Sequence, residues 1–412
     1  MNVPKLRFKA DDGSEFPEWE EKRLGDICKP LMYGMGAAAI PYDGQNKYIR
    51  ITDIDDESHK YKSNDIVSPA GMLEEKYLVC KGDILLARTG ASTGKSYLYD
   101  EKDGKMYFAG FLIKAHVNEE CDAKFIYAQT LTTKYMNWVK LTSMRSGQPG
   151  INANEYSSYA VSIACIPEQR KIASFLSTID EIIQSTESEL NAWQERKKGV
   201  MQKIFNREVR FKADDGSEFP EWEEKRLGEV TSRVTRRNNN MISDIPLTIS
   251  GVYGLIDQRK YFNKIVAASD LSNYYLLKSG EFAYNRSSSV GYDFGAIKRL
   301  DSCECGAVST LYVCFSILDE NDVCSDYLRV YFDSNIWNKY AASVCAEGAR
   351  NHGLLNISVN DFFDMPVFIP SLPEQKRIAE CLSAIDEVIT LTKKELSAWK
   401  EFKKGLLQQM FV

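Results

Sequence analysis

From Ile172 onward, apolar side chains recur at 176, 179, 183, 190, 193, 200 and 204, in alternating steps of four and three once Thr186 and Lys197 are counted in register. That spacing is the seam of a heptad helix. A second stretch repeats it at Ile378, Leu382, Ile385, Ile389, Leu396, Trp399, Leu406 and Met410, with Thr392 and Lys403 at the same two polar places. Pro167 and Pro373 open the stretches, where a first-turn residue needs no amide donor, and Glu168 and Glu374 place a carboxylate near the positive end of the dipole. The pattern predicts one helix over 166–205 and another over 372–412, each a rod of roughly 57 Å. Sharing the same interruptions, the two suit an antiparallel coiled coil about a pseudo-twofold axis, a spacer of fixed length between the regions they follow.

The likeness of the two stretches extends to their letters. PEQRKIASFLSTIDEIIQSTESELNAWQERKKGVMQKIF from Pro167 and PEQKRIAECLSAIDEVITLTKKELSAWKEFKKGLLQQMF from Pro373 share 22 of 39 residues without a gap. A second repeat precedes each, since RFKADDGSEFPEWEEKRLG occupies Arg7 to Gly25 and, letter for letter, Arg210 to Gly228. A period this long excludes a solenoid, whose repeats run to about 20–50 residues. Within the opening segment DDGS signals a turn between Phe8 and Phe16, and Trp19 and Trp222 read as packing residues rather than base-stacking ones.

Between the repeats the periodicity changes. Residues 26–165 and 229–371 hold short β-type runs at 48–51, 84–87, 311–315 and 366–369, mixed with helical stretches at 123–139 and 325–344. The fold class expected is α/β: two mixed α/β domains, each with a twisted sheet, separated by the two long helices. The segments are 1–165, 166–205, 206–371 and 372–412. Constant framing around divergent regions implies two modules doing one kind of job on different targets.

Composition narrows the class of job. The 44% hydrophobic and 27% charged make-up is that of a soluble globular protein. With no long apolar run and no apolar core in MNVPKLRFKADD, a cytoplasmic location is expected. Ten cysteines without a CxxC pair read as reduced thiols, and His59, His116 and His352 stand too far apart for a standard zinc motif. The net charge of −6 is awkward for a nucleic-acid binder, and neither variable region is basic overall: 16 basic against 17 acidic groups in 26–165, and 13 against 16 in 229–371. Local clustering is what a polyanion meets, so charge has to be read by position.

One correspondence survives between the variable regions: GDILLARTGASTGKS from Gly82 and GEFAYNRSSSVGYDFG from Gly280. A strand leads in both to an arginine followed by small hydroxyl and glycine residues, which suits a guanidinium reaching guanine O6 and N7 while hydroxyls and amides hold phosphates. The candidates are Arg88, Thr89, Ser92 and Lys95 in the first loop and Arg286, Ser287, Ser288 and Tyr292 in the second. TGASTGKS is not a P-loop: Gly90 and Gly94 enclose three residues where that motif needs four, and YLYD after it reads as a strand. Further candidates are Arg233, Arg236 and Arg237 with Asn238 to Asn240, and two late loops carrying Arg145 and Gln148, and Arg350, Asn351 and His352. Arginine, asparagine and glutamine are the side chains that read base edges bidentately. An exposed role without a ligand competes at every one of these positions.

The doubled IPEQRKIASFLSTIDEII and LPEQKRIAECLSAIDEVI, each following a variable region, together with the doubled WEEKRLG, resemble the specificity subunit of type I restriction-modification systems over essentially the whole chain. That resemblance implies a non-catalytic subunit. Each variable domain would recognise one half of a split, asymmetric site on double-stranded DNA, the helices would fix the gap, and the repeated regions would dock two modification (methyltransferase) subunits, which restriction (endonuclease and translocase) subunits join. S-adenosylmethionine, ATP and Mg would belong to those partners and no cofactor to this chain. The residues agree, for the sequence contains no S-adenosylmethionine glycine loop, no N/D-P-P-Y/F motif and no P-loop. The rival expectation, suited to the acidic charge, is a coiled-coil scaffold that binds proteins and never DNA.

Overall fold

The structure, a computed structural model, describes residues 4–144, 148–251, 253–261, 270–289, 291–345, 355 and 357–411 of the 412. A central helix runs over Ile166–Phe205 and a C-terminal helix over Leu372–Met410, both uninterrupted. The chain divides into two compact units, residues 1–188 with 393–412, and residues 189–392. These units cut across the four sequence segments, because a part of each helix contributes to each unit.

Within the first unit the helices run antiparallel: Lys403 reaches Asp180 at 2.5 Å and Lys400 reaches Glu187 at 3.0 Å. In the second unit Lys197 meets Asp386 at 2.6 Å, the same pair under the helix repeat. The polar interruptions of the seam thus have partners. Thr186 and Thr392 are buried and return their hydroxyls to their own helices, donating to the carbonyls of Ile182 and Val388 at 2.9 Å.

Each unit carries a four-stranded antiparallel sheet of one topology. In the first the strands lie in the order Met32–Tyr33, Leu112–His116, Asp83–Ala87 and Ser96–Leu98. In the second the order is Thr231–Val234, Val313–Ile317, Phe282–Asn285 and Ala296–Arg299. Strand alternation sends Ile84 and Leu86 into a core with Phe125, Tyr135 and Tyr156, while Leu85 and Ala87 pack with Ile49, Ile54 and Phe108 on the other face. Phe282 and Tyr284 separate from Ala283 in the same way. The outer strands differ: Lys47–Ile49 pairs parallel with Met106–Phe108, whereas Tyr275–Lys278 pairs antiparallel with Cys305–Val308. Divergence of the variable regions is therefore structural as well as a matter of letters.

Two expected helices are each broken in two. The stretch 123–139 forms Ala123–Gln129 and Thr133–Thr142, because the Thr132 hydroxyl caps the second piece by accepting from the Tyr135 amide at 3.2 Å. The stretch 325–344 forms Ser325–Asp333 and Asn338–Val344, interrupted at Asn335, whose φ of +57° lies in the left-handed region.

The repeated segments build a joint. Glu20–Arg23 pairs antiparallel with Ala160–Ile163, and Glu223–Arg226 with Pro366–Ile369, the strands that lead into the long helices. Glu168 is wholly buried and holds Arg7 at 2.8 Å and the indole N–H of Trp19 at 2.9 Å. Glu374, equally buried, holds Arg210 at 3.0 Å. The next residue ties the joint to the domain: Gln169 accepts from the Asp122 amide at 2.9 Å and donates to the Ala164 carbonyl at 2.8 Å, and Gln375 does the same with Cys324 and Pro370. Trp19 packs against Phe411 and Trp222 against Phe205, with ring centroids 6.0 and 6.4 Å apart, so both tryptophans are packing residues as expected, Trp222 buried and Trp19 half-buried.

Candidate nucleic-acid interface

In the first unit the strand Asp83–Ala87 leaves the sheet at Arg88 while Leu112–His116 enters beside it, so the loops at 88–95 and 109–111 share one end of the sheet. The backbone N–H of Arg88 donates to the Phe111 carbonyl at 3.1 Å. Its guanidinium donates to the Gly110 carbonyl at 3.4 Å and lies 4.7 Å from the Tyr33 ring centroid. Tyr33 is exposed, and its hydroxyl accepts from the Ala153 amide at 3.1 Å. The late segment joins the same place. Gly90 N–H donates to Pro149 at 3.0 Å, Ile151 N–H donates to Arg88 at 2.9 Å, and Thr89 bridges to Gly150. Gln148 is exposed beside the turn, with its amide nitrogen 3.1 Å from where a Cβ on Gly90 would stand. Half-buried Ser92 follows in the turn Gly90–Ser92, and the chain then enters the strand Ser96–Leu98, not the helix a P-loop requires.

The second unit repeats the arrangement with other side chains. Arg286 leaves the strand Phe282–Asn285 and donates through Nη1 to the Ile357 carbonyl at 3.1 Å and through Nη2 to Leu311 at 3.3 Å. Leu355 N–H donates to the Arg286 carbonyl at 2.8 Å, as Ile151 does to Arg88. Ser287 donates its N–H to Asn285 Oδ1 at 3.2 Å, and Ser288 is exposed. Tyr292 donates its hydroxyl to the Gly251 carbonyl at 2.6 Å, and its ring packs so closely that a Cβ on Gly251 would stand 2.0 Å from it. Both arginines are therefore held in place by backbone carbonyls, the preorganisation that specific readout rewards.

Not every candidate faces outward. The Lys95 ammonium donates to the Ile54 carbonyl at 3.0 Å and pairs with Asp56. Arg236 is paired with Glu281 at 2.7 Å. Arg237 lies 5.0 Å from the Tyr275 ring centroid and donates to the Asn273 carbonyl, and Asn238 is wholly buried, bonded to Ser243 and Leu271. Arg233 is exposed on the sheet opposite Phe315. Arg145, Arg350, Asn351 and His352 lie outside the described residues.

Sequence reasoning missed Tyr33, whose contact with Arg88 depends on strand pairing distant in sequence. It also missed that Cys80, Asp83 and His116 bring three potential ligand atoms within 4.8 Å. Asp83 is already satisfied there, accepting from the Cys80 amide and His116 Nδ1 at 2.8 Å and facing Lys114 at 3.7 Å. Glu281 caps the equivalent turn by accepting from the Lys278 amide at 2.7 Å, so the shared job of this carboxylate is structural. All ten cysteines are free, and burial pushes the thiols of Cys28 and Cys314 up to about 12.

Two modules whose four-stranded sheets share one strand order, each with an arginine, hydroxyls and amides at the same end of its sheet, have the organisation of a paired recognition protein. The family model described as type I restriction modification DNA specificity domain matches twice, over residues 17–192 and 220–398, and the chain belongs to that family. It is similar to the type I restriction enzyme MjaVIII specificity subunit of Methanocaldococcus jannaschii, at 25% identity over 425 residues, 97% of this chain and 94% of the relative. Among solved structures it resembles a type I restriction-modification system S subunit from M. genitalium, with a TM-score of 0.59 at 14% identity, covering 100% of this chain and 99% of that one. A second resemblance, with a TM-score of 0.56 at 16% identity over 95% of this chain and 97% of that one, is to a chain of a structure described as the basis of complex assembly and conformational transition of the type I R-M system. Recognition of DNA sequence is the role of this family, and it is the role of this chain. Among the described residues no helix is long and apolar enough to cross a membrane.

Proposed function

We propose that each unit reads one half of a split, asymmetric site on double-stranded DNA through the loops at the end of its four-stranded sheet. The two long helices set the gap between the halves and dock two modification subunits, which restriction subunits join. Adenine methylation with S-adenosylmethionine and ATP- and Mg-dependent cleavage then belong to those partners, and this chain chooses where they act. The observation that carries the reading is that Arg88 and Arg286 hold the same place in sheets of the same strand order while the side chains around them differ. One mount with two unlike readers suits two unlike half-sites.

The test is a map of the chromosomal methylation motif in cells carrying this chain and its modification partners. A motif of two unlike halves is expected, and exchanging residues 26–165 for those of a relative changes one half only. A continuous or palindromic motif overturns the reading, as does an exchange that alters both halves. Because neither variable region is basic overall, the isolated chain is expected to bind DNA weakly, with the partners completing the phosphate clamp.

A further inference from the structure

Two largely exposed apolar residues sit on turns whose carbonyls bond to the arginines. Phe111 and Leu311 are each 63% exposed. Phe111 is the third residue of a turn closed by the Leu112 amide on the Ala109 carbonyl at 2.8 Å, and Leu311 is the third residue of a turn closed by the Tyr312 amide on the Ser309 carbonyl at 3.1 Å. Both turns lead into the strand that pairs with the arginine-bearing strand, Leu112–His116 in one unit and Val313–Ile317 in the other. The carbonyl of each tip residue accepts from its arginine, Phe111 from the Arg88 amide at 3.1 Å and Leu311 from the Arg286 guanidinium at 3.3 Å.

Turn chemistry gives no reason for these residues, since the tip of a tight turn favours glycine, asparagine or aspartate. Exposing a large apolar side chain there forgoes its burial on folding, about 25 cal/mol for each Å² left in water. That it happens at one topological position in two regions of little sequence likeness points to a shared use. The use has to lie at the sheet end that carries the arginines, and there an exposed apolar tip complements one group of the major-groove code, the thymine 5-methyl.

We propose that Phe111 and Leu311 are specificity-determining residues, each making an apolar contact with a thymine 5-methyl group in the half-site read by its own unit. The proposal rests on the reading of the sheet ends as DNA interfaces. It predicts one thymine in each half-site whose methyl group matters to binding.

The experiment uses the complex of this chain with its modification subunits and duplexes carrying the mapped motif, with each thymine replaced in turn by deoxyuridine. For the wild-type complex, one replacement in each half is expected to weaken binding by roughly 10-fold, the scale of a single lost base contact. Phe111→Ala abolishes the sensitivity in one half and leaves the other intact, and Leu311→Ala does the reverse. Insensitivity of the wild type to every replacement overturns the proposal while leaving the split-site reading standing. Loss of co-purifying modification subunits in Phe111→Ala or Leu311→Ala also overturns it, assigning the tips to a protein contact. A wild-type complex without a split motif defeats the underlying reading itself. Arg88→Ala and Arg286→Ala, read in the same assay, separate the arginine contacts from the apolar ones.

Discussion

Glu168 has a side chain wholly shielded from water and a charge met by Arg7 and the Trp19 indole. Taking away one member of such a pair strands the other, which costs about 3–5 kcal/mol, whereas neutralising both costs far less. Arg7→Ala is therefore expected to lower the stability of the first unit by about that amount, and adding Glu168→Gln to recover much of it. Denaturant unfolding followed by two probes, one in each unit, checks both values. An effect of Arg7→Ala below about 0.5 kcal/mol, the range of ordinary surface changes, would show that water reaches the carboxylate and that the joint is looser than drawn. Only part of this was readable beforehand. Glu168 and Glu374 were visible as first-turn carboxylates, but Arg7 and Arg210 lie outside the helices, and nothing in local spacing matches them to a partner. The same limit applies at the sheet ends, where a strand-then-hydroxyl pattern marks Arg88 and Arg286 in the sequence and no local pattern marks Tyr33, Phe111 or Leu311.

The long helices were legible because a heptad seam is written into consecutive residues and survives without knowledge of any partner. The shorter elements were not. The pieces 123–129 and 133–142 share one apolar pattern and are parted by a single capping hydroxyl, and Met32–Tyr33 exists as a strand only through its pairing with Leu112–His116. At the seam, Lys197 and Lys403 looked like interruptions and turn out to be halves of the ion pairs with Asp386 and Asp180. Such pairs fix which face of a helix meets which, in the way that polar positions set register in coiled coils. Lys403→Asp is expected to cost roughly 1 kcal/mol or somewhat more, because like charges then meet at a partly buried place. Adding Asp180→Lys restores the attraction with reversed sign. A double-mutant cycle on thermal unfolding at low and high salt measures the coupling; additive single effects would mean that the pair does not orient the helices.

At the scale of the whole molecule, the duplicated framework matters because it treats the two readers alike. The joint made by Arg7, Glu168 and Gln169 is repeated by Arg210, Glu374 and Gln375, and neither copy draws on the side chains at the sheet ends. On the proposed function, exchanging a variable region is expected to leave the frame intact, and altering the frame is expected to leave what is read unchanged. The proposed spacer role makes this quantitative. Seven residues inserted at equivalent points of both helices keep the seam in phase and lengthen each rod by about 10 Å, close to three base pairs at about 3.4 Å each. The methylation motif of that variant is expected to keep both halves and to gain about three base pairs between them, or else methylation is lost because the docked subunits no longer fit. Inserting two residues instead turns the seam by about 200° and is expected to destabilise the helices outright, which separates loss of spacing from loss of fold. If the seven-residue variant methylates the parental motif with its gap unchanged, the helices hold the frame together but do not measure the DNA.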